Sequence, residues 1–164
     1  MKNITSNWFK KQNACVDGYK WVLGRTDITV KGTFDELVKI NKLEWANWTI
    51  VRLLNRKQNL QYVIFAAEQV IDIFEKKYPE DKRPRNAINA VKMVLKKDTK
   101  ENRAAAYAYS AAAYSAAAYA YASAYAAYAS AASASAAAAY ASASYAKEMR
   151  IKILNYGLSL LGVK

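Results

Sequence analysis

Residues 104–146 are built only from Ala, Tyr and Ser. No charge, Gly, Pro or branched aliphatic interrupts them, and no helix breaker lies between Pro84 and Gly157. Ala is the strongest helix former and Pro and Gly the strongest breakers, so this tract has one regular structure open to it. As a single rod at about 1.5 Å per residue it would run about 64 Å. A chain of this size packs to a radius of gyration of about 15 Å. The tract therefore predicts either a helical hairpin, broken once, or a helix that protrudes and pairs with a second copy to give a homodimer. A break within residues 130–135, rich in Ser, is favoured because Ser hydroxyls bond to nearby backbone and compete with the helix.

The tract has a face. Tyr107, Tyr114, Tyr121 and Tyr128 recur every seven residues, and Ser135 and Ser142 continue the series. Seven residues is close to two helical turns, so these side chains form one stripe. The series three residues on is nearly all Ala and Ser, which allows close approach of a second helix. The stripe reads first as packing. It also offers stacking faces and hydroxyls to a flat ligand such as a nucleobase.

Lys and Arg number 25 against 13 acidic residues, giving a net charge of +12. Because the tract is uncharged, this excess sits on the flanks, mainly residues 1–103, and favours an anionic partner. There is one cysteine, Cys15, and no histidine. A lone thiol forms no internal disulfide, which suits a reducing cytosol. The N-terminus has no apolar run of the kind a signal peptide needs. The Ser and Tyr of the tract make it too weakly apolar for a membrane span. A cytoplasmic chain without membrane partners is expected.

The remaining periodicity is helical throughout. Residues 1–12 read as polar and frayed. A short amphipathic helix is expected over 14–23, ended by Gly24. Residues 25–33 read as a loop or extended piece. The sequence Thr33-Phe34-Asp35-Glu36 has the form of a capping box and predicts a helix start. That short helix is expected to run through Ile40, with another over 43–54 and a break over 55–59. A single helix is expected over 60–78, stopped by Pro79. Pro84 is placed for the first turn of the next helix. A polar joint over 96–103 leads into the tract, and an amphipathic helix over 147–161 closes the chain. No segment reads as a strand. The fold class is all-α, with residues 1–164 one multi-helix bundle around the Ala/Tyr/Ser helix or hairpin.

Enzyme signatures are missing. The glycines are too scattered for a phosphate loop. Without His, zinc sites of the usual kind and Ser–His triads are excluded. Glu68, Asp72 and Glu75 share a helix face and read as its wet side rather than a Mg²⁺ site. No metal or cofactor is expected. Two groups could bind a ligand. Lys82, Arg83 and Arg85 cluster at a helix start, where free N–H groups and the helix dipole favour an anion. The same side chains could instead partner Glu80 and Asp81. Glu44, Trp45, Trp48 and Arg52 lie on one helix, with Trp48 and Arg52 spaced to stack. The indoles could equally be core.

Four blocks carry a resemblance. They are Ala14-Cys15-x-x-Gly18-x-x-Trp21; Glu44-Trp45-Ala46-x-Trp48; Phe65-Ala66-Ala67-Glu68-Gln69-Val70-x-x-Ile73-Phe74-Glu75; and Tyr78-Pro79-x-Asp81-x-Arg83-Pro84-Arg85-x-Ala87-Ile88. With the Ala-rich tract, they make residues 13–161 resemble the fifth-numbered immunity family of bacterial polymorphic toxin systems. Many of its members are carried by phages and mobile elements. The resemblance implies neutralisation of a toxin or defence factor inside a bacterial host cell. No catalytic residues define the family. Its members often place charged or His residues in the Ala-rich tract, where this chain has only Tyr and Ser.

Sequence and resemblance together predict a non-enzymatic immunity or counter-defence protein acting by stoichiometric binding. With the charge, the expected partner is an anionic ligand such as a nucleotide immune signal. It would be held by Arg83, Arg85, Lys82 and Arg52, with Trp48, Trp45 or the stripe of Tyr107, Tyr114 and Tyr121 stacking a base and Glu44 beside it. The alternatives are a protein-binding inhibitor of a toxin or CRISPR-type effector, and a nucleic-acid-binding module.

Overall fold

A computed structural model of the chain describes residues 4–25, 28–109, 111 and 136–163, the last segment by backbone alone as far as residue 145. Their fold is all-α. The helices are α1 (Ser6–Lys11), α2 (Val16–Val22), α3 (Val30–Lys39), α4 (Leu43–Leu53), α5 (Arg56–Glu68), α6 (Ile71–Lys77), α7 (Arg83–Lys96) and a C-terminal helix, Ala136–Leu160. Residues 100–109 are also helical. The chain divides into two compact units, one of Met1–Gln58 with Arg150–Lys164 and one of Asn59–Met149.

In the first unit, the N-terminus is not frayed over its described part. Thr5 caps α1, its hydroxyl accepting the Trp8 N–H at 3.2 Å, and Ile4 and Phe9 are buried. The apolar side chains at 4 and 9 supply the stabilisation that the polar composition of 1–12 concealed. Gly24 ends α2 in the left-handed region, at φ +78°, where a Cβ is strained.

Helix α3 begins earlier than its sequence suggests. The cap is Thr29, whose Oγ1 accepts the Gly32 N–H at 3.0 Å. Thr33 lies inside the helix, not at its start. With Val30, Phe34 and Leu37 it is buried, at i, i+3, i+4 and i+7, the stripe of a core-facing helix. Its hydroxyl has no hydrogen-bond partner among the described residues.

Asn55 to Asn59 does not break the chain for long. The Gln58 N–H donates to Asn55 Oδ1 at 2.9 Å, and the Asn55 N–H to Gln58 Oε1 at 2.9 Å. This reciprocal pair is a capping box, and it starts α5 one residue after Asn55. Gln58 Nε2 also reaches the Leu160 carbonyl, tying this corner to the end of the C-terminal helix.

In the second unit, the expected single helix over 60–78 is two. Helix α5 ends at Glu68 and α6 starts at Ile71, with Val70 between them at φ −122°. Val70, Ile71 and Ile73 are β-branched and give up χ1 freedom in a helix, so little local preference opposes the interruption. The core joins Ile64, Ile71 and Ile88, flanked by Ala67, Val91 and Leu95. Burial pushes the Tyr62 hydroxyl up to about 12. Tyr78, before Pro79, leaves the helical region at ψ 68°, as a residue preceding proline must.

The Ala/Tyr/Ser tract is helical wherever it is described, over 104–109 and from Ala136 onward. The predicted break at 130–135 and most of the Tyr stripe, with the dimer seam it would form, fall outside the described residues. No helix among the described residues is long and apolar enough to cross a membrane.

Candidate functional site

The first unit holds a cavity of about 200 Å³. Its walls are Phe9 from α1, Trp21 from α2 and Trp45 and Trp48 from α4. Cys15, Gly18, Leu37, Glu44 and Thr49 complete much of the rest. Two sequence blocks lie behind this. Ala14, Cys15, Gly18 and Trp21 bring one side of the cavity, and Glu44, Trp45 and Trp48 the other. Gly18 and Trp21, three apart on α2, share a face, as do Trp45 and Trp48 on α4 with Glu44 four before Trp48; Ala14 and Cys15 precede α2.

The rings are braced. Phe9 stacks on Trp48 with centroids 6.0 Å apart and planes at 13°, and Trp8 meets Trp48 edge-on at 6.1 Å. Trp21 and Trp45 meet edge-on at 6.5 Å. The Thr49 hydroxyl donates to the Trp45 carbonyl at 2.9 Å, so its polar group is satisfied beside the cavity. Cys15 caps α2, its sulfur accepting the Gly18 N–H at 3.4 Å. A Cβ at position 18 would sit 3.2 Å from that sulfur. Glycine there leaves the thiol and the cavity wall uncrowded.

Each cavity indole carries a cation on its ring. The Arg52 guanidinium lies 3.9 Å from the Trp48 centroid, Arg25 lies 4.2 Å from Trp21, and the Lys42 ammonium 4.9 Å from Trp45. The Trp48–Arg52 stack is the one the sequence spacing predicted. Arg25 also pairs with Glu36 at 3.4 Å. Lys42 and Arg52 have no carboxylate partner among the described residues. Glu44 is the sole charged residue among the described residues that line the cavity. Its Oε1 accepts from Arg150 Nη1 at 2.9 Å, both side chains being largely exposed.

The basic cluster at the start of α7 belongs to the second unit, and its arginines are engaged. Arg83 donates through Nε and Nη2 to both oxygens of Asp81, at 2.9 and 2.6 Å. Arg85 holds Glu75 in the same two-pronged way, with Nε at 2.8 Å, and touches Asp72 at 3.5 Å. These hydrogen bonds lower the Asp81 and Glu75 carboxyls below their ordinary values and raise both guanidiniums. Lys82 donates to the Pro79 carbonyl at 2.6 Å. The expected anion site is thus filled by the protein's own carboxylates. Glu68, the third member of the acidic face, pairs with Lys92 at 2.6 Å. That face pairs α5 and α6 with α7 and stays partly open to water, the Asp72 side chain being 80% exposed. Among the described residues no group of three His, Cys, Asp or Glu is set to hold a metal.

Of the remaining expected site residues, Tyr107 is 81% exposed, and Tyr114 and Tyr121 lie outside the described residues. Phe9, Trp21, Cys15 and Thr49 were missed as site residues. Trp21 and Cys15 had a signal in their shared place within the first block; Phe9 had none, since its role depends on α1 folding back onto α4. No family model matches the chain, and neither a curated protein nor a solved structure is similar to it.

Proposed function

We propose that the protein is a non-enzymatic binder of the immunity or counter-defence kind. It would sequester one small ligand per chain in the indole-walled cavity, a nucleotide signal whose base enters between the rings. The observation that carries this reading is the set of three indoles around one cavity, each with a cation on its ring. Aromatic walls stack any base. Lys42 and Arg52, without carboxylate partners among the described residues, are the groups for the phosphates at the rim. The cavity is smaller than the roughly 300–1,000 Å³ of drug-sized sites, which fits a single ring system with its charged tail outside. The net charge of +12 supports an anionic tail. The family resemblance supports the biological role, since the first two of its blocks build the cavity.

The test is titration of the full chain with mononucleotides, cyclic nucleotides and ADP-ribose-type nucleotides, read by tryptophan fluorescence and calorimetry. One-to-one binding with quenching, lost in Trp45→Ala, is expected. No quenching and no heat from any nucleotide refutes it.

An apolar groove of about 320 Å³ in the second unit favours a second reading, a protein-binding inhibitor of a toxin or CRISPR-type effector. Val63, Val70, Phe74 and Val91 line it, and Val63 is 53% and Val70 45% exposed. Apolar surface of this kind commonly meets a partner. Retention of one purified toxin or effector that Val63→Glu abolishes would support it.

A further inference from the structure

We infer that the base taken by this cavity is guanine; the inference rests on the nucleotide reading above. Stacking on indoles does not choose among bases, because every base has a π-face. Choice must come from the polar groups, and among the described residues the lining has a single charged one, Glu44. An ionised carboxylate only accepts hydrogen bonds, with about four lone-pair sites on its two oxygens. Arg150 takes one site on Oε1, and among the described residues no other group engages Oε2.

Guanine alone among the common bases presents two N–H donors side by side on its pairing edge, N1–H and the N2 amino group. Their separation matches the two oxygens of a carboxylate. Adenine and cytosine place an amino group beside a bare ring nitrogen, which would set a lone pair against Glu44. Uracil offers one N–H between two carbonyls. The Glu44–Arg150 pair has a second consequence. It restrains the carboxylate of this cavity-lining residue, which would otherwise spread over several rotamers, and so lowers the ordering cost of binding. A cationic ligand, which would also suit indoles and a carboxylate, is disfavoured by the surplus of basic residues over acidic ones.

The experiment is calorimetric titration of the full chain with 5′-GMP, AMP, CMP and UMP, repeated on Glu44→Gln. GMP is expected to bind about tenfold or more tightly than AMP, the scale of one charge-assisted hydrogen bond. Glu44→Gln is expected to weaken GMP about tenfold and to leave AMP unweakened, since a carboxamide can pair with an adenine edge. The Glu44 side chain is 71% exposed, so the variant should fold, and the GMP-to-AMP ratio of the parent chain tests the inference without it. AMP binding as tightly as GMP, or equal weakening of both by Glu44→Gln, overturns the guanine assignment and leaves the nucleotide reading standing. Absence of binding by all four, and by the cyclic and ADP-ribose-type nucleotides above, overturns both.

Discussion

Trp48 is the ring on which the N-terminal helix closes, so its removal should free α1 and open the cavity together. Its indole packs flat against Phe9, takes Trp8 edge-on and carries Arg52 on one face. Aromatic pairs contribute about 0.5–1.5 kcal/mol each beyond area burial, and an exposed cation–π contact about 0.5–1, so Trp48→Ala should cost about 1.5–4 kcal/mol before apolar area is counted. With urea slopes of about 1–3 kcal/mol/M, that is a midpoint shift of about 1 M. Far-UV circular dichroism should follow the transition, because the mutation removes a fluorescent ring. Limited trypsin digestion gives the local readout. Lys10 and Lys11 end α1, and cleavage after them should accelerate if the helix detaches. Trp48→Phe keeps a stacking ring and should lose about 1 kcal/mol. A loss in Trp48→Ala below about 0.5 kcal/mol, the range of an ordinary surface change, with trypsin cutting α1 no faster, would refute the view that this ring anchors the N-terminus.

Thr33→Val replaces a buried hydroxyl that lacks a partner among the described residues with a methyl of the same shape. It should raise stability by about 1 kcal/mol in urea denaturation; a loss would show that the hydroxyl is satisfied. Asn55→Ala removes the cap of α5 and should cost about 1 kcal/mol. Its effect and that of Gln58→Ala should be non-additive in a double-mutant cycle. The acidic limb of the stability profile should belong to the second unit. Glu75 and Asp81 are held by Arg85 and Arg83 below their ordinary values of 4.5 and 3.8. The stabilisation from a depressed carboxyl is complete above the unfolded value and is lost as pH falls through the folded one. Thermal midpoints should therefore drop below about pH 4.5. The drop should be smaller in Arg85→Gln, and an identical acid profile in that variant would argue against the pair.

The sequence was most legible where a single physical rule acted alone. Pro79 and Pro84 marked the end of α6 and the first turn of α7, and Gly24 marked the end of α2, because each constrains its own backbone whatever surrounds it. The failures came where two local signals were equivalent and burial chose between them. Thr29 and Thr33 both precede a residue three places on that can be capped. Val30 is buried along with Phe34 and Leu37, and only a start at Thr29 places it on the same helical stripe. Thr33, being polar, hid that stripe. Asn55 and Gln58 show the reverse case. The Asn-x-x-Gln spacing was a start signal, but in a run of polar residues it read as a break. The interruption after Glu68 had only the weak mark of its β-branched Val70, Ile71 and Ile73, since neither Gly nor Pro is present and the apolar period continues through it.

Charge was legible as a total and misleading as a map. Basic residues crowd most densely in sequence around Lys76 to Arg85, and that density suggested the anion site. Density along the chain attracts carboxylates as readily as it attracts a ligand, and here the acidic residues at 72, 75 and 81 lie within reach. Lys31, Arg103 and Lys92 are likewise matched to Asp35, Asp98 and Glu68. What separates a binding cation from a structural one is whether a carboxylate has already reached it. Lys42 and Arg52 pass that criterion among the described residues, and both stand on rings that wall the cavity. An indole face holds a cation by about 0.5–1 kcal/mol at an exposed site, less than the roughly 1.5–3 kcal/mol of a charged hydrogen bond. A phosphate could therefore draw either side chain from its ring. A cation stacked on tryptophan is positioned and still available, which the paired arginines at the start of α7 are not.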